Sequence, residues 1–154
     1  MEGPIPFPEE TLTEIGRLTV AATTLEFYLS QLAATVQQGS ADSYMARPGA
    51  ALKMARRSLK SLESPVREEF TAWVENAARL LEERHKIVHA LWGLKAVSIG
   101  VGAYFGYHAR TQTEVAAEQE IINEAASRLE ACATQGFELF FRWGPRVRPS
   151  DSQR

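Results

Sequence analysis

Apolar residues that recur at three- and four-residue steps constrain this chain more than any other feature. Ile15, Leu18, Ala22, Leu25, Leu29, Leu32 and Val36 form one such series, and Leu52, Ala55, Leu59 and Leu62 a second. Phe70, Val74, Ala77, Leu81, Val88 and Leu91 form a third, widened by Trp73, Leu80 and Ile87, and Ile122, Ala125, Leu129 and Cys132 a fourth. That spacing places apolar side chains along one stripe of a helix and leaves the rest to solvent. Four stripes need one another for burial, so the sequence predicts a mainly α, four-helix bundle.

The boundaries follow from local signals. Thr11-Leu12-Thr13-Glu14 reads as a capping box opening the first helix, which runs to about Gln37-Gln38-Gly39. Residues 39–48 read as a loop, and the second helix as Gly49 to Glu63. Ser64 is expected as N-cap with Pro65 first in the third helix, which continues to about Trp92. The short β-prone runs Lys95–Ile99 and Ala103–His108 flank Gly100-Val101-Gly102, so a β-hairpin is expected within 94–110. Thr111-Gln112-Thr113-Glu114 opens the last helix, with a stop expected at Pro145. The expected organisation is an N-terminal extension over 1–10, one helical domain over 11–143 and a flexible tail over 144–154.

With 154 residues the chain fits one domain large enough to bury a core without cross-links. The single cysteine, Cys132, excludes an intramolecular disulfide and falls in an apolar pattern, where it fills core space. A net charge of -2 excludes a polycation, so any grip on nucleic acid must come from a local patch. The first eight residues carry neither a basic nor an apolar signal region, and no membrane-length apolar run occurs. A cytoplasmic protein without a membrane partner is expected.

One residue breaks the third stripe. With Phe70 at zero on a helical wheel, the stripe centres near about 340° and Arg84 falls at about 320°. A guanidinium stays charged and is costly to bury without a partner. His85 and His89 lie at about 60° and about 100°, on the flank of the same stripe. Arg84-His85-Lys86-Ile87-Val88-His89 thus joins a cation that demands a partner to two groups that titrate near neutral pH. A histidine can move the proton of a ribose 2′-hydroxyl or of a leaving oxygen, and an arginine fork can stabilise charge developing on phosphate. The target would be RNA, because DNA lacks the internal nucleophile, and the chemistry calls for neither metal nor cofactor. Arg84 and His89 diverge by about 140° on an unbroken helix, so they meet only across a helix end or a subunit seam.

Other readings of these residues stay open. Arg84 can be a structural cation bridged to Glu26 across the bundle, with His89 capping its helix. His85 and His89, one turn apart beside Glu82, have a spacing that can bind zinc. Between Ala46 and Leu62 lie Arg47, Lys53, Arg56, Arg57 and Lys60 and no acid. That run is either an RNA-backbone footprint or a solvated helix face. The late aromatics, Trp92, Tyr104, Phe105, Tyr107, Phe137, Phe140, Phe141 and Trp143, read mainly as core or dimer contact, with base stacking by Tyr104 or Tyr107 ranked below packing.

Taken together, Leu25-Glu26 in a long first helix, Leu81-Glu82-Glu83 running into Arg84-x4-His89 late in a bundle helix, Trp92 after it and a final long helix resemble the HEPN superfamily. The architecture matches over roughly residues 10–143; the motif covers six. The resemblance implies a helical bundle that commonly dimerises. Its Arg/His elements meet in a cleft between two subunits and cleave RNA without a metal, in toxin–antitoxin, phage-defence and related systems. Carried over, Arg84 and His89 are the catalytic pair. His85 is the polar residue after the arginine and assists, and Glu26 orients Arg84 or braces the bundle. A homodimer and an antitoxin or regulatory partner are implied with them. Relatives that keep the bundle without cleavage imply the alternative, a dimerisation, nucleotide-binding or protein-interaction module.

Overall fold

A computed structural model describes residues 9–37, 39, 41, 44, 47, 49–92, 96–98, 103–105 and 112–147, with side chains except at 89–92, 96–98, 103–105 and 112–118. It is mainly helical. Helix α1 spans Glu9–Gln37, α2 Ala50–Ser58, α3 Val66–Trp92 and α4 Gln112–Val147, with a 3-10 turn at Leu59–Ser61 after α2. Among the described residues, no helix is long and apolar enough to cross a membrane.

Cross-helix contacts fix the directions. Gln119 on α4 meets Thr11 on α1, Arg17 meets Asn123, Ser127 and Glu130, and Tyr28 meets Phe137 and Phe140. The two sets of numbers rise together, so α1 and α4 run parallel. Against α4 the α3 partners fall in the opposite order, Glu69 with Arg142, Trp73 with Cys132 and Glu83 with Arg128, so α3 is antiparallel. The space between is filled by Leu18, Leu25, Leu29 and Leu32 from α1, Phe70, Trp73, Val74 and Ala77 from α3, and Ile122, Ala126 and Leu129 from α4. Burying each large side chain contributes about 1.5–3 kcal/mol, which is why the stripes decide the fold.

Trp73 is the centre of this packing. Its ring lies edge-on to Phe70 and Phe140, and its Nε1 donates to the Cys132 carbonyl at 2.8 Å. Gly136 makes room for it: a β-carbon there would lie 2.5 Å from Trp73 Cζ2. Cys132 is buried as expected; burial pushes its thiol pKa up, opposed by the Asn76 amide donating to Sγ at 3.6 Å.

Several helix ends differ from those the sequence predicts. α1 begins at Glu9, two residues before the capping box, and Thr11 is buried inside the helix, where its hydroxyl accepts from Gln119 Nε2 at 2.9 Å. Glu9 and Glu10 complement the positive end of the helix dipole instead. α2 stops at Ser58 and tightens into the 3-10 turn rather than running to Glu63; it starts after Gly49, whose φ of 74° suits a residue without a side chain. α3 begins at Val66, and the Ser64 hydroxyl donates to the Glu68 carboxylate rather than capping a backbone N–H. α4 passes through Pro145 to Val147. Proline there gives up its own N–H bond and crowds the Phe141 carbonyl, but only two helical residues follow it, and Val147 is buried, which holds the last turn in place.

The β-hairpin expected within 94–110 falls mostly on residues outside the described set, and the helical bundle is the part of the expected fold that the structure carries.

Candidate functional site

Arg84 sits on the last third of α3, on the edge of the buried stripe. Leu80 before it is 3% exposed, while Leu81, Ile87 and Val88 are half-buried against the core. Arg84 itself is half-buried, and its Nε is shielded from solvent with no hydrogen-bond partner among the described residues. Glu26, half-buried on α1, is close enough to feel the guanidinium charge. Burial pushes the Glu26 carboxyl pKa up, and the positive charge of Arg84 pulls against that rise without cancelling it.

The neighbouring carboxylates are committed elsewhere. Glu83 accepts from Arg128 on α4, and Glu82 pairs with Lys86 one turn on, at 3.7 Å. Glu26 is the carboxylate left within electrostatic reach of Arg84 from another helix. His85, one residue on, is exposed. His89 belongs to α3, but its side chain lies outside the described residues, as do those of Trp92, Tyr104, Phe105 and Tyr107. Glu26 and Arg84 thus come within electrostatic reach of one another, and His85 follows Arg84 at an exposed position.

Sequence reasoning missed one member of this neighbourhood. Ser30, one turn after Glu26 on α1, is fully buried, and its Oγ has no hydrogen-bond partner among the described residues. A serine between Leu29 and Gln31 gives no signal of burial, because the wheel puts it on the flank of the stripe.

The five basic residues between Ala46 and Leu62 do not act alike. Arg47, Lys53, Arg57 and Lys60 are exposed. Arg56 is engaged by Glu75 on α3, with Nε donating to Oε1 and Nη2 to Oε2, each at 2.9 Å. The absence of acids along α2 therefore does not hold in space for Arg56. The late aromatics divide as well. Phe140 packs against Phe70, and Trp143 Nε1 donates to Glu69 at 3.2 Å, whereas Phe141 is 86% exposed.

A shallow groove of about 320 Å³ runs between α1 and α4, lined by Val20, Thr24, Tyr28, Ala133 and Phe137. It lies on the flank of α1 away from Glu26. Among the described residues, no three His, Cys, Asp or Glu side chains gather in a way that could hold a metal ion. Comparison with protein-family models, with curated proteins and with solved structures gives no match.

Proposed function

We propose that the chain is a metal-independent endoribonuclease of the HEPN type. Arg84 and His89 act as the catalytic pair, His85 assists, and the site is completed at the cleft of a homodimer. The observation that supports this reading most is the placement of Arg84. A permanently charged guanidinium is held half-buried at the edge of the core, next to a carboxylate whose own burial is costly. A charge kept there at such a cost is well suited to meet an incoming phosphate.

In the reaction, a histidine takes the proton from the ribose 2′-oxygen as that oxygen attacks the adjacent phosphorus. The bond to the 5′-oxygen breaks, and a protonated histidine returns a proton to it. One product ends in a 2′,3′-cyclic phosphate and the other in a 5′-hydroxyl. Arg84 stabilises the charge that builds on the non-bridging oxygens. Glu26 is a positioning residue, acting through Arg84. Release of such an activity inside a cell calls for control, which fits a toxin or defence protein held by an antitoxin or another regulatory protein.

The same Glu26–Arg84 coupling favours a second reading: a non-catalytic bundle serving as a dimerisation, nucleotide-binding or protein-interaction module, with Arg84 as a structural ion-pair residue. Pure protein incubated with RNA in excess EDTA, beside a His89→Ala variant, separates the two. The enzyme reading expects cyclic-phosphate fragments from the parent and a loss of at least about 100-fold in the variant. Equal cleavage by both, or none by either, leaves the module reading.

A further inference from the structure

We infer that the solvent face of α2 and of the 3-10 turn after it is a sequence-independent anchor for the RNA phosphate backbone, formed by Lys53, Arg57 and Lys60 and not by Arg56. This inference rests on the ribonuclease reading for its ligand, but it concerns grip rather than cleavage.

Lys53 and Arg57 lie about 40° apart on the α2 wheel, and Lys60, in the 3-10 turn that follows, extends the row to about 11 Å along the axis. A nucleic-acid strand carries roughly one charge per 3.4 Å in a duplex, so the row faces two or three phosphates. All three side chains are exposed, and none makes an ion pair among the described residues. Arg56 points to the side and is taken by both oxygens of Glu75. The opposite face of α2, Ala51, Ala55 and Ser58, with Leu59 after it, is buried.

The helix is also held still. Gln37 Nε2 donates to Ser58 Oγ at 2.9 Å, tying its end to α1, and the Arg56–Glu75 fork ties its middle to α3. With the backbone of the row fixed, only its side chains lose freedom when a strand settles on it. The chemistry of the row selects the ligand. It carries no aromatic side chain for stacking and no carboxylate or amide for reading base edges, so it recognises strand charge and not sequence. It has no exposed apolar side chain to enter a lipid interface; among the described residues, the large exposed hydrophobics lie on α1 and α4.

The test is fluorescence-anisotropy binding of a labelled single-stranded RNA to the full chain carrying His89→Ala, repeated from about 50 to about 200 mM salt. Each of Lys53→Ala, Arg57→Ala and Lys60→Ala should reduce the slope of log K against log salt by about 0.7, and the triple variant by about 2. Arg17→Ala removes the same charge from α1, where Arg17 is paired with Glu14 and Glu130, and should leave the slope unchanged. An unchanged slope in the triple variant overturns the inference. So does an equal drop for Arg17→Ala, or tighter binding to anionic phosphatidylserine vesicles than to RNA. Salt-dependent binding lost in the triple variant supports it even if the parent cleaves no RNA; that pattern overturns the ribonuclease reading alone.

Discussion

Glu26 on α1 and Arg84 on α3, both half-buried, lie within electrostatic reach of one another without a direct ion pair within 4 Å. The pair lies between two regimes. Exposed ion pairs contribute about 0.2–1 kcal/mol, whereas removing one partner of a fully buried pair costs about 3–5 kcal/mol. Glu26→Ala is therefore expected to lower stability by about 1–2 kcal/mol, because it leaves the guanidinium without its counter-charge. In a cycle with Arg84→Met the double variant should be less destabilised than the sum of the singles, read by urea denaturation. Additive effects would show that the two side chains do not interact.

The same pair has an unusual pH signature. The Glu26 carboxyl is raised above its ordinary value in the folded chain, by burial first, so between those two values the folded state holds more protons than the unfolded state. Its contribution to stability is present below the ordinary pKa and lost as pH rises through the folded one. Glu75 and Glu130 behave in the opposite way. Hydrogen bonds from Arg56 and Arg17 hold them low, and their contributions are lost as pH falls. Glu26→Gln should thus gain stability relative to the parent as pH rises from about 4 towards neutrality. Urea titrations of both proteins across that range measure the difference, and a variant that loses stability relative to the parent as pH rises would contradict the assignment.

Gly136 and Trp73 predict a steric cost. Gly136→Ala improves helix propensity by about 1 kcal/mol, but it drives a methyl to 2.5 Å from the indole. Overpacking of this kind costs about 1–3 kcal/mol, so a net loss of stability is expected. Trp73→Phe removes the ring carbons that the methyl meets and the donor to the Cys132 carbonyl. In that background Gly136→Ala should cost less than it does alone. Thermal denaturation of the four proteins decides, and an equal cost in both backgrounds would show that the contact is not the cause.

The sequence made the helices legible because burial of a stripe outweighs local detail. Phe70, Val74 and Ala77 are buried in α3 as their spacing requires, and Glu26 was already the expected neighbour of Arg84. Helix ends were less legible. Thr11 and Pro145 each carry a local signal that a tertiary contact overrides, Gln119 for Thr11 and burial of Val147 beyond Pro145, whereas Ser64 is taken by Glu68 one turn on. The partner of Arg56 was hidden for a related reason. Glu75 is 19 residues away on another helix, and nothing along α2 announces it. Gly136 in α4 likewise reads as a weak helix position until Trp73 is set against it.

The central claim is that Arg84 serves chemistry as well as packing, and Arg84→Lys tests it most directly. Lysine keeps the charge that faces Glu26 but lacks the planar fork that grips phosphate oxygens. The measurement is the rate of RNA cleavage in EDTA by the parent and the variant, with Tm recorded on the same samples. A fall in rate of about 100-fold or more with Tm almost unchanged is the predicted result. An undiminished rate, or a rate and a Tm that fall together, would contradict it.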